Sequence, residues 1–143
     1  MPKIDFHVLA DPASDAHLRF VCRLAEQAVD EGHRVFIRTW SGEESKRLDD
    51  LLWTFGDRSF LPHEIATDTS PRHERVRILI GDAAAADPFR DVLVNMGSAA
   101  PPDLDSLQRI IEIVPTDPAR KRQARERFKH YREQGIEPES HNV

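Results

Sequence analysis

The chain has 143 residues, 39% of them hydrophobic and 31% charged, and a net charge of −5. That length suits one domain, residues 1–143, with a core of its own. The acidity excludes a protein that coats nucleic acid with its whole surface. No apolar run approaches the ~20 residues of a membrane helix. The single Cys22 excludes an internal disulfide and fits a reducing cytoplasm, as does a start without a signal-peptide apolar region.

Ile4 to Leu9 alternates as a first strand. Ser14 or Asp15 can cap a helix to about Asp30, whose apolar positions Leu18, Val21, Cys22, Ala25 and Val29 keep the 3.6 period, and Gly32 stops it. Arg34 to Thr39 reads as a second strand. Ser41 with Glu44 makes a capping box for a helix to Trp53. Gly56 to Pro62 is a loop with exposed aromatics, and residues 66–75 are polar and mobile. Val76 to Ile80 is a buried strand, Ala83 to Pro88 a turn region, and Val92 to Val94 a strand core. Pro101 to Leu107 holds a short helix, Ile110 to Val114 is the last strand, and the tail at 136–143 frays. Short strands alternating with helices predict an α/β fold with a mostly parallel sheet and right-handed crossovers.

Catalytic chemistry is hard to place. No phosphate-binding loop or dinucleotide fingerprint is present, and Gly81-Asp82 reads as a turn. The seven His do not fall at metal-ligand spacings, so no metal or cofactor is expected. Cys22 lies on the apolar face of its helix as a core thiol. Asp5 and His7 read as a solvated strand face.

The last helix carries the strongest signal. Asp117 can cap it, Pro118 sits at its first position and Gly135 can end it. Residues 118–134 hold seven Lys or Arg against two Glu. At about 100° per residue, Lys121, Arg122, Arg125, Lys129 and Arg132 form one stripe. Ala124, Phe128 and Tyr131 form the neighbouring apolar stripe, with Phe128 on the seam. Guanidinium groups beside a half-exposed aromatic suit a ligand that is acidic and apolar, or a stacked nucleic-acid strand. The plain alternative is a solvated amphipathic helix closing the domain.

The segments Ile113-Val114-Pro115 and Gln123-Ala124-Arg125-Glu126-Arg127-Phe128-Lys129-His130-Tyr131-Arg132 resemble the C-terminal region of the chi subunit family of bacterial DNA polymerase III. Arg47-Leu48-Asp49-Asp50-Leu51-Leu52-Trp53 and Ser59-Phe60-Leu61-Pro62-His63 agree with the same family. The resemblance implies a single-domain, Rossmann-like three-layer fold ending in a basic helix. It implies an accessory protein without catalysis or cofactor, which joins the clamp loader, through the psi subunit, to single-stranded DNA-binding protein. The C-terminal tail of that protein is acidic and ends in an Asp-Phe-type terminus. On this reading the terminal aromatic enters a pocket near Val114 and Phe128, while carboxylates meet Arg122, Arg125 and Lys129. Phe128 stands where the family can carry Tyr, and Arg122 where it can carry Lys. The resemblance also places psi, or an alternative helicase partner, on Trp53, Phe60, Pro62 and His63. DNA is then contacted only indirectly, and no membrane is involved. Two other readings stay open: direct single-strand binding by the basic helix, with Phe128 and Tyr131 stacking bases, and a small α/β enzyme.

Overall fold

A computed structural model describes residues 2–13, 15–54, 63–65, 76–81, 91–101 and 104–143. The first strand, β1 (Lys3–Val8), leads into helix α1 (Ala16–Asp30), and β2 (Val35–Arg38) into α2 (Gly42–Thr54). Then come β3 (His63–Ile65), β4 (Ile78–Gly81), β5 (Val92–Asn95), a 3-10 turn at Leu104–Ser106, and β6 (Arg109–Val114). Helix α3 (Pro118–Glu133) and a last strand, β7 (Glu139–Asn142), complete the order. The strands form one seven-stranded sheet ordered β3-β4-β2-β5-β6-β1-β7. Every strand pair in it is parallel.

Side chains alternate between the two faces of each strand, and the core divides accordingly. On one face, Val35, Ile37, Ile78, Ile80, Val92, Val94, Ile111 and Ile113 pack against the buried stripes of α1 and α2. On the other, Ile4, Phe6, Phe36, Leu79, Leu93, Ile110 and Val114 pack against Ala124 and Tyr131 of α3. These are the three expected layers. Cys22 is fully buried on the first face, and burial pushes its thiol up to about 12, a core group as expected. Among the described residues no helix is long and apolar enough to cross a membrane.

Helix boundaries follow local chemistry. The Asp117 carboxylate accepts from the Ala119 N–H at 2.8 Å, with Pro118 at the first position of α3. Gly135 closes that helix at φ +85° and Gly32 follows α1 at φ +91°, both left-handed values that favour glycine. Asp15 does not cap α1 with its side chain; its carboxylate pairs with Arg47 of α2 instead. Ser14 lies outside the described residues. The capping box forms in part. Ser41 Oγ accepts from the Glu44 N–H at 3.2 Å, but the Glu44 carboxylate takes the Trp40 N–H at 2.8 Å.

Three expectations are corrected. Residues 136–143 do not fray: β7 pairs with β1 from Asp5↔Glu139 to Val8↔Asn142, and the Val143 N–H reaches the Val8 carbonyl at 3.0 Å. Ile110 to Val114 is therefore not the last strand. Asp5 and His7 are not a solvated face, because β7 and α1 cover them. Asp5 is 2% exposed, and His7 packs near Phe20. The loop from Gly56 to Pro62, the segment 66–75 and the turn at Ala83 to Pro88 lie outside the described residues.

Glu44 ties the three helices together. His17 Nε2 of α1 lies 2.9 Å from its carboxylate. Arg120 of α3 donates to both oxygens at 2.6 and 3.1 Å and also to the Met96 carbonyl at 3.0 Å. Burial alone would raise this carboxyl. The hydrogen bonds from His17 and Arg120, the Arg120 charge and the Trp40 N–H outweigh it and hold the carboxyl at about 2, against an ordinary 4.5. A depressed carboxyl adds stability above the unfolded value, and that stability is lost as pH falls through the folded one. Chemical denaturation at pH 7 and near pH 2 should therefore show the parent losing ~3 kcal/mol more than Glu44→Gln does. Parallel acid profiles would show that the carboxyl titrates normally.

Candidate functional site

The seven cations of the basic block separate by helix face. Arg120 is bound to Glu44, with its guanidinium 5.0 Å from the Trp40 ring centroid. Arg127 is 4% exposed and donates through Nε to Glu112 Oε1 at 2.8 Å. Neither is offered to a ligand. Lys121 is half-buried, and Arg122, Arg125, Lys129 and Arg132 are exposed. These five are the stripe read from the helical period. Arg132 has a loose partner in Glu137 at 3.7 Å, with both side chains well exposed.

The apolar stripe is graded. Ala124 and Tyr131 are buried, while Phe128 is half-buried with its ring 5.1 Å from that of Phe6. Tyr131 is 0% exposed, and its hydroxyl donates to Glu112. It cannot stack a base, so the expectation of two aromatics on a nucleic-acid platform is corrected to one.

Phe128 forms one wall of a cavity of about 240 Å³ between α3, β1 and β7. Its apolar lining comes from Phe6, Val8, Val114 and Ala124, and its polar rim from Lys121, Arg125 and Ser140. On the other side of the ring, a shallower groove runs past Arg125, Lys129, Arg132 and Glu133. Of the expected set, Val114, Arg125 and Phe128 meet around the cavity and Lys129 lines the adjoining groove. Arg122 is exposed on the same helix but lines neither. Lys121, Phe6, Val8 and Ser140 were not assigned to the site from sequence. Phe6 and Val8 carried part of a signal, since they alternate on the first strand, but the place of that strand beside Val114 is set by the β1–β6 pairing. Ser140 carried none.

A second aromatic surface lies at the opposite edge of the sheet. Trp53 is 54% exposed at the end of α2. Its ring stands 4.6 Å from His63 of β3, whose Nε2 lies 3.1 Å from Asp49 Oδ1. The His63 side chain is enclosed, with its ring tilted against that of Trp53. Phe60 and Pro62 lie outside the described residues.

Similar proteins align with most of this chain. The chain matches the family described as DNA polymerase III chi subunit, HolC, over residues 1–139. It is 31% identical to the DNA polymerase III subunit chi of Pseudomonas aeruginosa over 143 residues, which is 100% of this chain and 98% of that one. It is 30% identical to the subunit of the same name from Haemophilus influenzae, covering 96% of this chain and 95% of the relative. For the Escherichia coli subunit the identity is 28%, over 82% of this chain and 80% of the relative. The cationic, aromatic-walled cavity is therefore a feature of a chain that belongs to the DNA polymerase III chi subunit family.

Proposed function

We propose that this chain is a non-catalytic bridging subunit of the replicase. Its α3 cavity takes the acidic, Phe-terminated C-terminal tail of single-stranded DNA-binding protein, and its Trp53 edge takes psi. One observation carries the reading. An apolar cavity walled by Phe128 opens directly beneath Lys121 and Arg125. A terminal Phe ring fills the apolar part, and its α-carboxylate and upstream Asp side chains meet the rim cations. Pairs between ionised partners are roughly twice as strong as neutral hydrogen bonds. The remaining stripe, Arg122, Lys129 and Arg132, steers the tail toward the cavity and makes association salt-sensitive. Exposed Trp53 suits a second partner because aromatics dominate interface hot spots. The two surfaces lie on α3 and at the far end of the strand order, so both partners fit at once.

Calorimetry with a synthetic tail peptide tests the site. Arg125→Ala should weaken binding ~10-fold, about 1.4 kcal/mol, with an unchanged circular dichroism spectrum. A peptide lacking its final Phe should lose binding almost entirely. An unchanged dissociation constant for Arg125→Ala would reject the assignment of the rim. Full affinity without the Phe would show that the cavity is idle. Tight binding of bare single-stranded DNA by the same chain would favour the nucleic-acid reading instead.

A further inference from the structure

The strand that sequence patterning misses brings together four residues that are dispersed along the chain. In the β1–β7 register, Asp5 stands opposite Glu139 and His7 opposite His141. All four project from the sheet face opposite the α3 cavity. His141 Nε2 lies 3.1 Å from Asp5 Oδ1 and 3.8 Å from Glu139 Oε2, and the three ligand-type atoms fall within 4.8 Å of one another. The His7 ring is stacked on His141 at 5.2 Å, and its Nε2 is shielded from solvent with no hydrogen-bond partner among the described residues.

We propose that Asp5, Glu139 and His141, with His7 adjacent, form a binding site for a divalent transition metal of the Zn²⁺ class. Two ligand atoms bonded to one tetrahedral zinc ion stand ~3.4 Å apart. The observed separations straddle that value, so the side chains need only small rotations to close on an ion. Imidazole with carboxylate suits Zn²⁺, Co²⁺ or Ni²⁺, and not Ca²⁺ or Mg²⁺, which prefer all-oxygen sets. The site combines a rigid ligand with an open approach. Asp5 is held in the sheet at 3% side-chain exposure, whereas His141 and Glu139 are 46% and 63% exposed. Two cations oppose the ion: Lys3, whose charge acts on the Asp5 carboxylate, and Arg109. Arg109 Nη2 lies 3.5 Å from Asp5 Oδ2, the oxygen that His141 does not use, and the Arg109 side chain is 42% exposed. An ion bound here joins β7 to β1 through side chains as well as backbone.

Zn²⁺ alone, titrated into the full chain by calorimetry, is the test. The parent should bind one ion at this site, and His141→Ala should lower that affinity at least ~10-fold with the fold intact by circular dichroism. Because His141 lies on an exposed edge strand, the variant does not threaten folding. Arg109→Gln should tighten binding by removing one of the competing charges. Zn²⁺ should also slow hydrogen exchange at the His141 and Val143 amides in the parent and not in His141→Ala. The proposal is overturned if parent and His141→Ala bind Zn²⁺ alike, or if neither binds it.

Discussion

Arg127→Leu should cost the fold about 3–5 kcal/mol in urea denaturation. Arg125→Ala, two residues earlier on the same helix, should stay within about 0.5 kcal/mol of the parent. The contrast rests on what each guanidinium meets. Arg125 is exposed on the cavity rim. Arg127 reaches inward to Glu112, which is 0% exposed and also accepts from Asn95 Nδ2 at 3.0 Å and from the Tyr131 hydroxyl. Removing the cation leaves a buried carboxylate without its counter-charge. Replacing both partners by apolar residues leaves nothing uncompensated, so Glu112→Leu with Arg127→Leu should recover most of the loss.

The same pair predicts a pH dependence. Burial pushes the Glu112 carboxyl above its ordinary 4.5, opposed by Arg127, Tyr131 and Asn95. Taking Arg127 away removes the strongest opposing charge, and the carboxyl rises further. A raised carboxyl binds more protons folded than unfolded, so stability falls as pH rises from the unfolded value toward the folded one. The deficit of Arg127→Leu relative to the parent should therefore be smallest near pH 4.5 and grow toward neutrality. A deficit below ~1 kcal/mol, or one that ignores pH, would show that Glu112 does not depend on this partner.

The cation stripe was legible because helical periodicity is local. Lys121, Arg122, Arg125, Lys129 and Arg132 share a face whatever lies below them. Arg120 and Arg127 left the block for reasons no local pattern carries: their acceptors, Glu44 and Glu112, lie 76 and 15 residues away in sequence. The caps of α3 were legible for the same local reason, since Asp117, Pro118 and Gly135 each act within one turn. The strand β7 was not. Glu139-Ser140-His141-Asn142 has no β-branched residue, and every side chain in it is exposed, so it carries no burial period. It is a strand because its backbone pairs with β1. Missing it concealed two things at once: the Ser140 wall of the cavity on one face and the carboxylate–histidine cluster on the other. The three-residue β3 was missed for want of length. Phe6 and Val8 were read correctly as strand residues, but their place in the cavity depends on β1 lying next to β6.

Ser140→Trp should reduce affinity for the tail peptide ~10–100-fold while leaving stability within about 0.5 kcal/mol. Ser140 is exposed on an edge strand that tolerates aromatics, and it turns toward Phe128 and Arg125 across the cavity. An indole there would fill the space that the proposed site gives the terminal Phe and deny it about 1.5–3 kcal/mol of apolar burial. Ser140→Lys separates occlusion from mere alteration: it leaves the apolar floor open and adds a cation to the rim, so it should hold or tighten binding to the anionic tail. The substitution also divides the two readings of α3 by sign. If the surface served single-stranded DNA, a new exposed indole beside Phe128 would add a stacking platform and strengthen binding. If it serves a chain terminus, the same indole blocks the receptacle. A Trp variant that binds the peptide as the parent does would mean that the tail, wherever it docks, does not enter the space between Phe128 and β7.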